Sequence, residues 1–234
     1  MTDPTAITGR ERSTIHRTVA FVDLAGFTAL TDVHGDEAAV DLVDAFEDTA
    51  RSAIGGTGAE LVKTIGDAVM LVAPTPDQAL SAVRSLFHAV YERESFPEPR
   101  AGLHHGPVIE RGSDYFGATV NLAARVASRA GSGQVLSTST LLDAAQRAGV
   151  DTVALGTHQL RNVLEPVDLW ALEVCPTHVD LSVDPVCRMR IACQRAVGTV
   201  RHEGVEHRFC SLACVAAFVQ DPDRYVEAEA AAPL

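Results

Sequence analysis

The sequence predicts an α+β protein, a mixed sheet carrying helices, followed by a small cysteine-bearing unit. Two observations carry this reading. Short apolar runs typical of strands alternate with stretches whose apolar residues share one helical face, in the order β-α-β-β-α-β. Cysteine is absent up to residue 174, whereas Cys175, Cys187, Cys193, Cys210 and Cys214 all fall at the end of the chain. A length of 234 residues with 47% hydrophobic content suits one mid-sized domain plus something small.

Residues 1–15 are polar and aperiodic, which predicts a flexible arm. Residues 17–23 read as a buried strand ending at Asp23. Ala39, Leu42, Val43, Phe46 and Ala50 then mark one face of a helix. Asp23 therefore sits at a strand end just before a helix, and Thr28 with its neighbours lies near that helix's N-terminus, where unpaired backbone N–H groups favour phosphate. Residues 59–63 and 68–73 read as strands joined by Thr64-Ile65-Gly66-Asp67, with Gly66 permitting the tight turn that brings Asp67 to its tip.

A second helix carries Ala79, Val83, Leu86, Phe87 and Val90 on its core face, and Pro97 and Pro99 close that segment. Strand-like runs at 100–105 and 107–111 lead to Asp114. A third helix near 118–130 places Asn121 and Arg125 four residues apart on one face, beside a packing stripe of Val120, Ala124 and Ala127. Residues 133–137 read as a strand, 138–148 as a short helix, and 151–159 with 166–173 as closing strands. The order is that of a ferredoxin-like mixed sheet with helices on one face.

A formal net charge of −12 argues against nucleic-acid binding and against docking on anionic membranes, both of which need clustered Lys and Arg. It leaves room for an anionic substrate if metal ions supply positive charge. No apolar run has the length of a membrane span, and the N-terminal segment lacks the apolar core of a signal peptide, so a cytoplasmic location is expected.

Three segments, FVDLAGFTAL (21–30), ELVKTIGDAVMLV (60–72) and DYFGATVNLAARV (114–126), carry most of the polar residues that these elements bring to strand ends and turns. Together they resemble the catalytic domain of class III adenylyl cyclases over about residues 16–174. The resemblance implies conversion of ATP to 3′,5′-cyclic AMP and pyrophosphate. It implies that Asp23 and Asp67, assisted by the Leu24 carbonyl, hold two Mg²⁺ or Mn²⁺ ions, and that Phe27 and Thr28 lie at the phosphates. Lys63 and Asp114 match the adenine-reading pair, one donating to a ring nitrogen and the other accepting from the exocyclic amine, a pattern that mismatches guanine. Asn121 would position the ribose, and Arg125 would neutralise charge on the α-phosphate. Arg161 stands where relatives carry a Lys that contacts the terminal phosphates, with Asn162 in place of the following Gly. Because the metal carboxylates come from one subunit and the Lys, Asp, Asn and Arg from the other, a chain holding both halves would form a homodimer. The alternatives are a catalytically silent cyclase-like scaffold that senses metal or binds a partner, and a guanylyl cyclase.

Behind a linker (175–183), residues 184–226 resemble the YHS domain, related to treble-clef-like metal-binding modules. The match rests on Asp184-Pro185-Val186-Cys187, Met189, Gly204, Phe209-Cys210-Ser211, Cys214, Phe218, Pro222 and Tyr225. Arg188 and His207-Arg208 depart from the usual Gly and Tyr-His. The expected domain is 184–227, with a tail at 228–234. A unit this small needs a staple, and Cys187, Cys210 and Cys214 are expected to bind Zn²⁺ with Cys193, His202 or His207 as the fourth ligand, Cys193 being preferred. Such a module would tune the cyclase by sensing metal or redox state or by docking an unknown regulator. Cys175 is read as incidental, and His104 and His105 as structural.

Overall fold

The computed structural model describes residues 14–93, 95–174 and 181–230. The expectations placed on most of the N-terminal arm, on Cys175 and on the end of the tail lie outside these residues. The elements run β1 (Thr14–Leu24), α1 (Phe27–His34), α2 (Asp36–Ala53), β2 (Glu60–Ile65), β3 (Ala68–Ala73), α3 (Pro76–Tyr91), β4 (Pro99–Arg111), β5 (Asp114–Phe116), α4 (Ala118–Ala127), β6 (Val135–Thr138), α5 (Leu142–Arg147), β7 (Thr152–His158) and β8 (Val167–Leu172). A smaller C-terminal unit follows, with β9 (Leu181–Val183), β10 (Arg190–Ala192), β11 (Gly198–His202), β12 (Val205–Phe209), α6 (Leu212–Gln220) and α7 (Asp223–Ala230).

The main sheet has the order β2-β3-β1-β4-β6-β8-β7, with β5 added alongside β4. Strand β1 lies between β3 and β4, antiparallel to both, while β4 and β6 run parallel. Side chains alternate along β1, so Ala20, Val22 and Leu24 face one core and Val19 and Phe21 the other. The first core is closed by α2 and α3 through Leu42, Phe46, Val83, Leu86 and Phe87. The second is closed by α4 through Ala123 and Ala127. Helices therefore cover both faces, not the single face expected, because β1, β3 and β4 are apolar on both sides.

Two segments differ from the sequence reading. The helix after Asp23 is two helices, broken at Gly35, whose φ of 86° no right-handed helix accommodates. The runs at 100–105 and 107–111 form one strand, β4. Pro107 sits between the stretch of β4 paired with β6 (101–103) and that paired with β5 (109–111), where one edge has no partner strand and a residue lacking N–H is tolerated.

The C-terminal unit is packed onto the main domain. Val186, Cys187, Phe209, Cys214 and Phe218 belong to the same buried core as α2 and α3. Pro97 bridges to Met189, and Arg190 exchanges backbone bonds with Ser95 and Phe96. The guanidinium of Arg190 is 2% exposed and donates to the carbonyls of Val90 (2.6 Å), Tyr91 (3.1 Å) and Arg93 (2.9 Å). It thereby satisfies carbonyls that the end of α3 leaves without helical partners, and it complements the helix dipole.

The placement of α4 depends on Gly102 in β4. A Cβ there would lie 2.0 Å from the backbone nitrogen of Ala127 and 2.4 Å from its Cα. Backbone cannot yield as a side-chain tip can, so Gly102→Ala must lift α4 from the sheet. We expect a loss of about 1–3 kcal/mol or more in urea unfolding, the usual cost of overpacking. Unchanged stability would mean that α4 does not approach the strand this closely.

Candidate active site and a cysteine–histidine cluster

Strand register assembles the acidic end of the site. Asp23 stands directly opposite Ala68 of β3 and opposite Arg100 of β4. Asp67 precedes Ala68 in the β2–β3 turn, where Gly66 has φ 61°. The two carboxylates thus lie side by side, and Arg100 donates to both oxygens of Asp23 at 2.6 and 3.0 Å. Burial and the nearby charge of Asp23 raise the pKa of Asp67 above its ordinary value, against the lowering effect of its own backbone hydrogen bond and of Arg100. Two half-buried carboxylates that repel each other and are partly offset by a guanidinium form a donor set suited to hard divalent cations with oxygen ligands, so the residues fit Mg²⁺ or Mn²⁺. Arg100 was not singled out from sequence, since only the β1–β4 register reveals it.

Leu24 ends β1 and is buried. The chain then turns through Gly26 (φ 74°) into α1, which begins with Phe27 and Thr28. No side chain caps this helix, and its first turn carries no acidic residue. Phe27 and Thr28 thus begin a helix whose uncapped, non-acidic first turn is the kind of end that suits an anion. A cleft of about 540 Å³ opens here, lined by Gly26, Ala29, Arg100 and Arg129 of the main domain and by Arg188 and Arg224 of the C-terminal unit.

Lys63 and Asp114, 51 residues apart, are brought into contact, with the ammonium donating to both carboxylate oxygens at 2.7 and 2.6 Å. The Lys63 hydrogen bond holds the Asp114 carboxyl below its usual range. The Tyr115 N–H donates to Asp114 Oδ1 (2.8 Å), and the Tyr115 hydroxyl donates to Glu60 on β2 (2.6 Å), which fixes the pair's position. Asn121 and Arg125 lie on α4 as expected, Asn121 exposed and Arg125 half-buried. Arg161 is exposed in the turn between β7 and β8, and Asn162 beside it adopts φ 61°. Asn tolerates that left-handed conformation, which Gly also favours, better than other side chains. His104 is half-buried against Thr138 (2.8 Å), and desolvation lowers its pKa to about 4, which keeps it neutral and structural.

The thiols divide differently from the sequence expectation. Cys187, Cys210 and Cys214 converge, but the fourth group beside them is His34 at the end of α1, all four ligand atoms lying within 4.8 Å of one another. Cys193 is excluded: it is exposed at the far side of the small unit, against Ser182 (3.5 Å) and Arg208 (2.9 Å). His202 and His207, whose rings pack on Phe218, are not among the converging ligand atoms either. Nothing in the sequence near His34 announces the contact, which joins residues 176 and 180 positions apart. Asp184 ties the two cysteine-bearing loops together, accepting from the N–H groups of Val186 (2.9 Å) and Cys210 (2.8 Å). Hydrogen bonds from Cys187 and Cys210 lower the pKa of Cys214, while contacts with Cys210 and Cys214 raise that of Cys187.

Residues 11–173 match the family described as the adenylate and guanylate cyclase catalytic domain. The chain belongs to that family. Among relatives, a pH-sensitive adenylate cyclase of Mycobacterium tuberculosis is 38% identical over 157 residues, covering 65% of this chain and 39% of that protein. An adenylate cyclase of Streptomyces griseus is 42% identical over 118 residues, covering 50% of this chain and 30% of that protein. The chain thus spans only about a third of the curated relatives it matches, for example 33% of a Mycobacterium tuberculosis protein. An adenylate cyclase structure of Trypanosoma brucei, in its monomeric state, superposes with TM-score 0.61 at 27% identity, covering 69% of this chain and 89% of that one. An adenylyl cyclase of P. aeruginosa shares the fold, with TM-score 0.60 at 22% identity over 74% of this chain and 100% of that one. Among the described residues no helix is long and apolar enough to cross a membrane.

The raised pKa of Asp67 gives a stability test. A carboxyl with a folded pKa above its unfolded value stabilises the fold while protonated, and that contribution is lost as pH rises through the folded value. In metal-free protein, Asp67→Asn should therefore melt above the wild type, by a margin that grows as pH rises from the ordinary 3.8. Added Mn²⁺ should close the gap by stabilising only the wild type. A variant that melts at or below the wild type at neutral pH would show that the paired carboxylates carry no electrostatic penalty.

Proposed function

We propose that this chain is an adenylyl cyclase that converts ATP to 3′,5′-cyclic AMP and pyrophosphate at a site shared between two copies of itself. The observation that carries the proposal is the complete polar set on this scaffold: the Lys63–Asp114 pair formed at 2.6 Å, Asp23 beside Asp67, and Asn121 with Arg125 on one helix. When bound to Asp23, Asp67 and the Leu24 carbonyl, two Mg²⁺ or Mn²⁺ ions would supply Lewis-acid chemistry at the ribose 3′-hydroxyl and at the phosphates.

The remaining work falls to the chain. Lys63 donates to a ring nitrogen of adenine, and Asp114, held ionised, accepts from its amino group. Guanine offers the reverse pattern and would leave both groups unpaired. The N–H groups of Phe27 and Thr28 hold phosphate oxygens at the start of α1. Asn121 orients the ribose so that the 3′-oxygen lies in line with the leaving pyrophosphate. Arg125 stabilises the charge that grows on the α-phosphate, and Arg161 engages the terminal phosphates in bidentate fashion. Arg100 holds the Asp23 carboxylate in place between turnovers through its two hydrogen bonds. We further assign residues about 184–226 to a YHS-type metal-binding module that tunes this activity.

Purified protein with Mn²⁺ and either ATP or GTP decides among the readings. Cyclic AMP formed in preference to cyclic GMP supports the proposal; a cyclic GMP preference, or no product from either, would overturn it in favour of a guanylyl cyclase or a silent scaffold. Arg125→Ala should lower kcat by about 10²–10³-fold, the usual cost of one donor aimed at developing charge. Asp23→Ala should be comparably impaired. Mixing the two inactive variants should restore activity, since one of the two sites in the heterodimer is intact. If the mixture stays inactive, the shared-site arrangement is wrong.

A further inference from the structure

His34 and the three converging thiols meet the requirements of a metal centre in number, chemistry and spacing. The Sγ atoms of Cys187 and Cys210 are 3.5 Å apart, and those of Cys210 and Cys214 are 3.7 Å apart. His34 Nε2 lies 3.6 Å from the sulfurs of both Cys210 and Cys214. A tetrahedral Zn²⁺ with ordinary bond lengths of about 2.3 Å to sulfur and about 2.0–2.1 Å to nitrogen has S···S edges of about 3.8 Å and S···N edges of about 3.6 Å. Four of the six edges are therefore close to those of such a tetrahedron, and the other two are no longer than 4.8 Å. Cys187 and Cys214 are fully buried, and Cys187, Cys210 and Cys214 carry free thiols.

We propose that His34, Cys187, Cys210 and Cys214 form a tetrahedral Zn²⁺ site whose histidine comes from the cyclase domain, so that the ion bolts the C-terminal unit onto helix α1. That helix carries the phosphate-facing residues Phe27 and Thr28 at its other end. The loop after Cys187 grips this end as well: a Cβ on Gly26 would meet Arg188 Cγ at 2.5 Å and the Cys187 carbonyl carbon at 3.3 Å. Arg188 itself reaches Glu98 at 3.6 Å and Ser132 at 3.4 Å. Both ends of α1 are thus held by the segment that the ion organises. Metal occupancy sets the position of the phosphate-binding turn, and losing the ion frees it. This second step rests on the proposed cyclase activity, whereas the ligand set does not.

Cobalt substitution tests the ligand set without any assay of turnover. Reduced, metal-depleted full-length protein titrated with Co²⁺ should bind one ion showing tetrahedral d–d bands and thiolate-to-cobalt charge transfer, which ions held by the oxygen ligands of Asp23 and Asp67 do not give. His34→Ala should weaken Co²⁺ and Zn²⁺ binding by at least about tenfold, the effect of losing even an outer partner of a metal ligand. His34→Cys should restore tight binding with stronger charge transfer, which separates loss of a ligand from loss of the fold. Cys193→Ser and His207→Ala should match the wild type. A His34→Ala protein with wild-type affinity and spectrum, or a wild-type protein whose five thiols all titrate in the presence of the metal with no charge-transfer band, would overturn the site. For the coupling, Zn²⁺-free His34→Ala should show a KM for ATP raised several-fold with a smaller change in kcat. An unchanged KM would overturn the coupling while leaving the site standing, and absence of all activity in the wild type would instead count against the cyclase reading.

Discussion

The antiparallel register of β1 between β3 and β4 is the constraint on which the rest of the molecule depends. It sets Asp23 opposite Arg100 and next to the turn that carries Asp67. A slip of one residue would send Asp23 to the other face of the sheet and exchange the two apolar sets that α4 and the α2–α3 pair each require. The site's acidic end is therefore fixed by the same alternation that builds the two cores. Catalytic geometry and stability share one cause here, and neither can drift without the other.

That constraint also explains how a chain of net charge −12 can present an anion site. Positive potential is concentrated, not spread over the surface. Arg100 and Arg129 border the cleft from the main domain, Arg188 and Arg224 border it from the C-terminal unit, and the free end of α1 points toward the same space. Against the negative bulk charge, one crevice gathers four arginines, the local sign that the proposed nucleotide requires.

What could be read from sequence follows from how far each feature depends on distant partners. Asp23 at a strand end, Asp67 at a turn tip and the Asn121–Arg125 face of α4 follow from local periodicity and turn chemistry, and all three are found in those positions. The Lys63–Asp114 contact was accessible only through family resemblance, since 51 residues separate the two. Arg100 depends on strand register and His34 on the docking of two units, and neither leaves a local signal. Cys193 misled for the converse reason: closeness along the chain to other thiols is not closeness in space, and the short β10 segment carries it away from the cluster. The second helical face was missed because Gly102, the residue that admits α4, is silent in any hydrophobic pattern.

The Arg190 side chain has one more consequence. By completing the carbonyl end of α3 and lying over the Tyr91 ring at 4.4 Å, it makes a late part of the polypeptide responsible for finishing an early helix. The carbonyl end of α3 is thus closed from outside the main domain, and a chain without Arg190 would leave those carbonyls to solvent.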